Sequence, residues 1–137
     1  MKNINENFNN IIYEMVIKKI INDKDKNATF SLDRNLNIIK LSNKTMLKYG
    51  NFVYGIKEDT IKKIIENIYI FLNYGKDQKI FLGKWKDPKT NKIIIEIVKF
   101  GINKNKVINL AKYYKQYSIY DIKNNNEIVL KYGSKKQ

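Results

Sequence analysis

Apolar residues recur along the chain with two periods, one helical and one extended. Phe8, Ile11, Ile12, Met15, Val16 and Ile20 fall at i, i+3, i+4, i+7, i+8 and i+12, one face of an amphipathic helix over about 6–21. Such a helix needs a packing partner, because alone in water it is marginal. A second helix is predicted over 60–74, where Ile61, Ile64, Ile65, Ile68 and Leu72 share a face. Glu58 and Asp59 stand at the positive end of its dipole and Gly75 follows its last turn. A third starts at Asn103 as N-cap and runs to about Gln116. It turns Val107, Ile108, Ala111 and Tyr114 inward and leaves Lys104, Asn105, Lys112 and Lys115 outward.

Between these helices lie shorter extended runs. The polar stretch 22–27 reads as a loop, after which 28–32 and 36–41 flank Asp33, Arg34 and Asn35 as a short hairpin. The stretch 42–50 fits either a helical turn or a loop ending at Gly50, and 51–56 reads as a further strand that Gly55 weakens. Two β-rich runs, 79–86 and 92–100, are joined by Asp87, Pro88, Lys89, Thr90 and Asn91. Asp and Pro open a type I turn, and Asn91 tolerates the left-handed conformation that closes it. The run 117–122 completes the strands, followed by a turn over 123–126.

These elements predict an α/β protein of the α+β type, a small, mainly antiparallel sheet with helices packed on one face. At 137 residues one hydrophobic core is expected, so 1–137 reads as a single domain. Within it, 1–75 supplies two helices and short strands, 76–130 a hairpin-helix-strand unit, and 131–137 a basic tail. No internal repeat and no linker interrupts it.

Charge adds a second layer to this picture. The formal net charge is +14 with a pI near 9.8, which favours anionic partners and says nothing about fold. Lys, Asn, Ile and Tyr make up 80 of the 137 residues, all with AT-rich codons, so part of the lysine content follows codon supply. Codon supply does not explain the uneven distribution. Residues 1–75 carry 12 basic and 8 acidic side chains, whereas 76–137 carry 15 and 5.

Composition also removes whole classes of chemistry. With no Cys there is no disulfide, thiol nucleophile or thiolate zinc site, and with no His the usual general base and commonest metal ligand are missing. No cofactor is expected and no metal site is predicted. Glu58 and Asp59 with Glu66 do not converge on a cation, and Gly50 and Gly55 lack the spacing of a phosphate-binding loop. No apolar run approaches the ~18 residues of a membrane span, so a soluble, cytoplasmic protein without membrane contact is expected.

A catalytic reading would rest on Asp87, Glu96, Asp121 and the phenols of Tyr113, Tyr114, Tyr117 or Tyr120. Asp87 is better explained as a turn cap, Glu96 as a solvent-facing strand residue and Asp121 as a polar strand end. No catalytic residue is therefore assigned and the protein reads as a non-enzyme.

What rises above background is the basic, aromatic second half. Lys84, Lys86, Lys89 and Lys92 flank the hairpin, Lys99, Lys104, Lys106, Lys112 and Lys115 follow, and no acid occurs from Gly101 to Tyr120. Lysines that neutralise phosphates, with Trp85 to stack on a base, would bind nucleic acid in a salt-sensitive manner. The candidate binding residues are Lys84, Trp85, Lys86, Lys99, Lys104, Lys106, Lys112 and Lys115. The same face suits an acidic protein or the nucleic-acid-bearing surface of a larger host complex.

Over 79–128 the chain resembles a pattern met in small proteins of phages, prophages and other mobile elements. Gly83, Lys84 and Trp85, then Asp87 to Thr90, Lys92, Ala111, Gln116 and the closing 118–122 run carry the resemblance. Asn91 stands where the pattern has Gly, and the 103–116 helix is basic where the pattern is commonly acidic. The resemblance implies a mobile-element protein acting in a bacterial host cell. Small proteins of that kind often block host defences by binding, the anti-CRISPR proteins among them. The expectation is a non-enzymatic inhibitor of a host defence nucleoprotein such as a CRISPR effector, the alternatives being a free-standing nucleic-acid binder and a small His-less nuclease.

Overall fold

The computed structural model describes residues 13–56 and 61–130. Phe8, Ile11 and Ile12 of the first predicted helix, Glu58 and Asp59 before the second, and the 131–137 tail lie outside the described residues. The described strands are β1 (Ala28–Asp33), β2 (Ile38–Lys40), β3 (Phe52–Ile56), β4 (Lys79–Lys86), β5 (Ile93–Gly101), β6 (Ser118–Asp121) and β7 (Asn126–Val129). They form one antiparallel sheet in the order β2-β1-β4-β5-β3-β6-β7. A π-helical turn, Tyr13–Ile17, leads into α1 (Lys18–Ile21), and α2 (Asn43–Met46), α3 (Ile61–Tyr74) and α4 (Lys104–Tyr113) complete the mixed α/β set.

Within the single sheet the chain forms two compact units: 1–40 with 58–95, and 41–57 with 96–137. The last division falls inside β5, so no change of composition marks it.

In the first unit β1 pairs with β4 so that Phe30 faces Leu82 and Ala28 faces Lys84. Side chains alternate along a strand, which puts Leu82 and Lys84 on one face. Phe30, Leu32 and Leu82 are buried on this face, and Val16, Ile17, Ile20, Ile64, Ile68 and Phe71 are the buried residues of the helices. Phe71 replaces Ile61 in the expected stripe of α3, and Ile61 is exposed. The first helix departs further from its predicted face. Met15, expected inward, is 49% exposed, while Ile17 is fully buried. Hydrogen bonds from i to i+5 in the π-helical turn put more residues in each turn and rotate the buried stripe.

A cation finishes α3 in this unit. Arg34, the chain's single Arg, donates from Nη1 to the Phe71 carbonyl at 3.2 Å and from Nη2 to that of Gly75. Its guanidinium lies 5.0 Å above the centre of the Phe71 ring. A planar fork is what two carbonyls and a ring require, which is a reason for Arg in a chain otherwise built with Lys.

The β1–β2 hairpin forms as expected, with Leu32 opposite Ile38, but β2 starts two residues late. Asp33 Oδ1 accepts from Asn35 N at 2.8 Å and Asn37 N at 3.0 Å, which draws Leu36 to a φ of 66°. Asp87 and Asn91 close the β4–β5 turn as predicted. Asp87 Oδ1 accepts from Lys89 N at 2.9 Å, and Asn91 sits at a φ of 62° with its N–H on the Asp87 carbonyl.

The second unit is built around β3, which pairs with β5 on one side and β6 on the other. Phe52, Tyr54 and Ile119 meet Val107 and Ala111 of α4, with Leu130, in one buried cluster. Stretch 42–50 resolves as the turn of helix α2, capped by Ser42, whose Oγ accepts from Thr45 N at 3.2 Å. Gly50 follows because a Cβ there would stand 2.9 Å from the Gly101 backbone. Strand β7 was not expected. It pairs along β6, Asp121 opposite Asn126 and Ser118 opposite Val129, and its four residues are too few to show an alternation.

Candidate functional site

Helix α4 is positioned by both of its ends and by one close contact. The Asn103 side chain accepts from Lys106 N at 3.0 Å, as an N-cap should. At the other end Lys115 takes a φ of 59°, Lys115 N donates to Lys112 O at 3.0 Å and Gln116 N to Ala111 O at 2.8 Å. These bonds make a Schellman ending with lysine where glycine is usual, so the helix stops three residues before the predicted Gln116. In between, a Cβ on Gly101 would lie 2.4 Å from Val107 Cγ2, so the absence of a side chain is what lets α4 settle on the strand.

Lys115→Gly is expected to relieve the left-handed strain and stabilise the protein by about 1 kcal/mol, read as a higher urea midpoint. The same change deletes one surface cation, so it separates stability from binding.

The inward row of α4 is consumed by the core, and this fixes what points out. Lys104, Lys106, Leu110, Lys112 and Tyr113 are exposed, as are Ile102 before the cap and Lys115 and Tyr117 after the end. Lys99 pairs with Tyr54 and therefore shares the sheet face on which α4 lies, where it too is exposed. No ion pair engages Lys99, Lys104, Lys106, Lys112 or Lys115 among the described residues.

The eight predicted residues therefore separate. Lys99, Lys104, Lys106, Lys112 and Lys115 belong to the unit of α4, whereas Lys84, Trp85 and Lys86 belong to the other. Trp85 and Lys86 are half-buried. Lys84 is not at the surface: it is 3% exposed, and Nζ donates to the carbonyls of Ile20 at 3.0 Å, Ile21 at 3.2 Å and Asp23 at 2.7 Å. Ile20 and Ile21 belong to the last turn of α1, where carbonyls lack partners within the helix, and Ile20 O also accepts from Asp23 N at 3.2 Å. The alternation that buries Leu82 carries Lys84 to the same side, so it acts as a cap and not as a ligand contact.

The acidic candidates are also placed. Asp87 is the turn cap expected. Asp121 is buried and accepts from the Asn124 side chain at 2.8 Å and its backbone N–H at 3.2 Å, and these bonds, the side-chain one first, hold its carboxyl below the usual range. Glu96 is not solvent-facing. Its carboxyl lies over Gly55, where a Cβ would meet Oε1 at 2.3 Å, and burial pushes it up to about 7. Burial also raises the Tyr54 phenol, with Tyr114 adding to it. Glu96 shares its sheet face with Val98 and Gly55, and Tyr54 points to the opposite one. The two shifted groups are thus on different sides and do not make an acid–base pair. No cluster of three metal-binding side chains occurs among the described residues.

Together these features define a mixed α/β protein on an antiparallel sheet whose outward helix is basic and apolar at once. Comparison with protein-family models, curated proteins and solved structures finds no match. Among the described residues no helix is long and apolar enough to cross a membrane.

Proposed function

We propose that the protein is a non-enzymatic binding protein that docks the basic face of α4 on an anionic surface of a host nucleoprotein and blocks it. The observation that carries this reading is the set of exposed lysines Lys99, Lys104, Lys106, Lys112 and Lys115, with no acid in the sequence from Gly101 to Tyr120 and the charge of Asp121 felt at Lys104. An excess of charge of one sign speeds encounter with a partner of the other sign and sets which surfaces are admitted. The sequence resemblance to mobile-element proteins makes a defence complex such as a CRISPR effector the target of choice, reached in the host cytoplasm. The scattered carboxylates support binding in preference to turnover, since Asp87 and Asp121 cap turns and Glu96 is not paired with Tyr54, the other group whose ionisation burial opposes.

The test is a cleavage assay with guide-loaded CRISPR effector complexes. Inhibition is expected to saturate near one protein per complex and to fall at least tenfold in Lys104→Glu with Lys112→Glu. Inhibition of a large molar excess of target, abolished by a single change at Asp87, Glu96 or Asp121 in a folded protein, would establish catalysis instead.

A further inference from the structure

The lysines are only half of what α4 exposes. Leu110 is 42% and Tyr113 75% exposed on the helix, Ile102 75% and Tyr117 42% exposed at its two ends. Lys106, Leu110 and Tyr113 follow one another at i, i+4 and i+7, so they form a single row on the outward side. Lys104, Lys112 and Lys115 are exposed as well, Lys112 on the flank of the helix, Lys104 on the side away from Tyr113 and Lys115 past the helix end. Tyr113 is held in orientation: its ring centre lies 5.2 Å from that of Tyr114, with the planes at 81°. Tyr114 itself packs against the buried cluster under α4. An exposed aromatic ring packed edge-on against a supported neighbour is a platform, and Lys106 in its row with lysines elsewhere around the helix end supplies charge for a phosphate backbone.

We infer that the α4 row binds single-stranded nucleic acid, its lysines on the phosphates and Tyr113 stacked on a base. This rests on the reading of α4 as the docking face and names the ligand. The row from Lys106 to Tyr113 rises about 10 Å, the length of roughly three stacked nucleotides. A duplex keeps its base faces inside the stack and would leave Leu110 and Tyr113 unused, whereas every base of a single strand offers a π-face. An acidic peptide helix fits less well, because helix docking requires apolar anchors over about two turns and this row has Lys106 where the next anchor would be.

The test uses a fluorescein-labelled ten-nucleotide strand of thymidines or uridines, and the thymidine strand annealed to its complement, titrated with the full chain at about 50 mM salt. Single strands are expected to bind at least tenfold tighter than the duplex. Tyr113→Leu is expected to lower single-strand affinity about tenfold, Tyr113→Phe to leave it within twofold, and Lys106→Glu with Lys112→Glu to flatten its dependence on salt. Equal binding of strand and duplex with Tyr113→Leu unchanged would overturn the stacking platform and leave charge alone. No binding to either would overturn the inference outright and turn attention to acidic proteins. The same variants in the cleavage assay separate the two readings. Inhibition without strand binding defeats only this inference, and strand binding without inhibition defeats only the proposed function.

Discussion

Replacing Lys84 by methionine should destabilise the protein by about 3 kcal/mol, although the side chain keeps nearly its length and gains apolarity. The reason is the environment the ammonium leaves behind. Three carbonyls at and just beyond the end of α1, those of Ile20, Ile21 and Asp23, accept from one Nζ, and Ile20 O has a second donor in Asp23 N. At a site that is 3% exposed, water does not readily replace it. Urea unfolding reads the loss as a lower midpoint at unchanged slope. Lys106→Met is the control, and its exposed side chain should change stability by less than about 0.5 kcal/mol. Equal effects at the two positions would mean that Lys84 does not hold the helix end. Lys84→Met should leave binding through α4 intact when measured on the folded fraction, which a ligand-contacting lysine would not.

The second large effect is a pH dependence centred on Glu96. Burial pushes its carboxyl up to about 7 from 4.5, whereas in the unfolded chain it ionises in the ordinary range. Below pH about 4.5 both states carry the proton and the group does not alter stability with pH. Between about 4.5 and 7 the unfolded chain releases the proton and the folded one retains it, so stability falls as pH rises. The whole fall is about 3 kcal/mol, after which the curve is level. Asp23, Asp33 and Asp121 act oppositely. Hydrogen bonds from Asp25, from Asn37 and from Asn124, respectively, hold their carboxyls low, so their stabilisation is lost only as pH falls through the acid range. The two windows barely overlap, and the slope between pH 5 and 7 isolates Glu96. Glu96→Gln should remove that slope and be the more stable protein at pH 8. A wild-type curve that is flat or rises from pH 5 to 7 would count against a half-buried Glu96 that keeps its proton.

Glu96 also shows why a close contact escapes sequence reading. Gly55 inside a strand looks like a weak point, and a lone Glu between Ile95 and Ile97 looks like a residue facing water. Each is intelligible only with the other. The β3–β5 register sets Gly55 against Val98 and so brings the Glu96 carboxyl into the space a Cβ would occupy.

Much of the architecture was legible because it is encoded locally. Asp87 and Asn91 specify their turn through one side chain and one backbone conformation, and Asn103 caps α4 within a single turn. The apolar row of α4, and that of α3 apart from the exchange of Ile61 for Phe71, follow from helical period, since one face of each helix must leave water. The sequence also sufficed for the antiparallel strands that hairpins join. Where a device departs from the common residue, its position was harder to read, as with the helix end at Lys115, where no Gly marks the turn.

Only tertiary structure decided the rest, because those features depend on neighbours distant in sequence. A π-helical turn re-phased the first helix and exchanged Met15 for Ile17 in the interior. Pairing, and not composition, recruited the short β7 to β6. The lysines of the second half were equivalent by sequence, one charge each, yet the alternation of β4 and the end of α1 buried Lys84 while α4 presented Lys104, Lys106 and Lys112 to water. Net charge is a sum over residues and survives any folding. Which of those charges reach a partner is fixed by strand register and helix phase, and both are set by long-range burial.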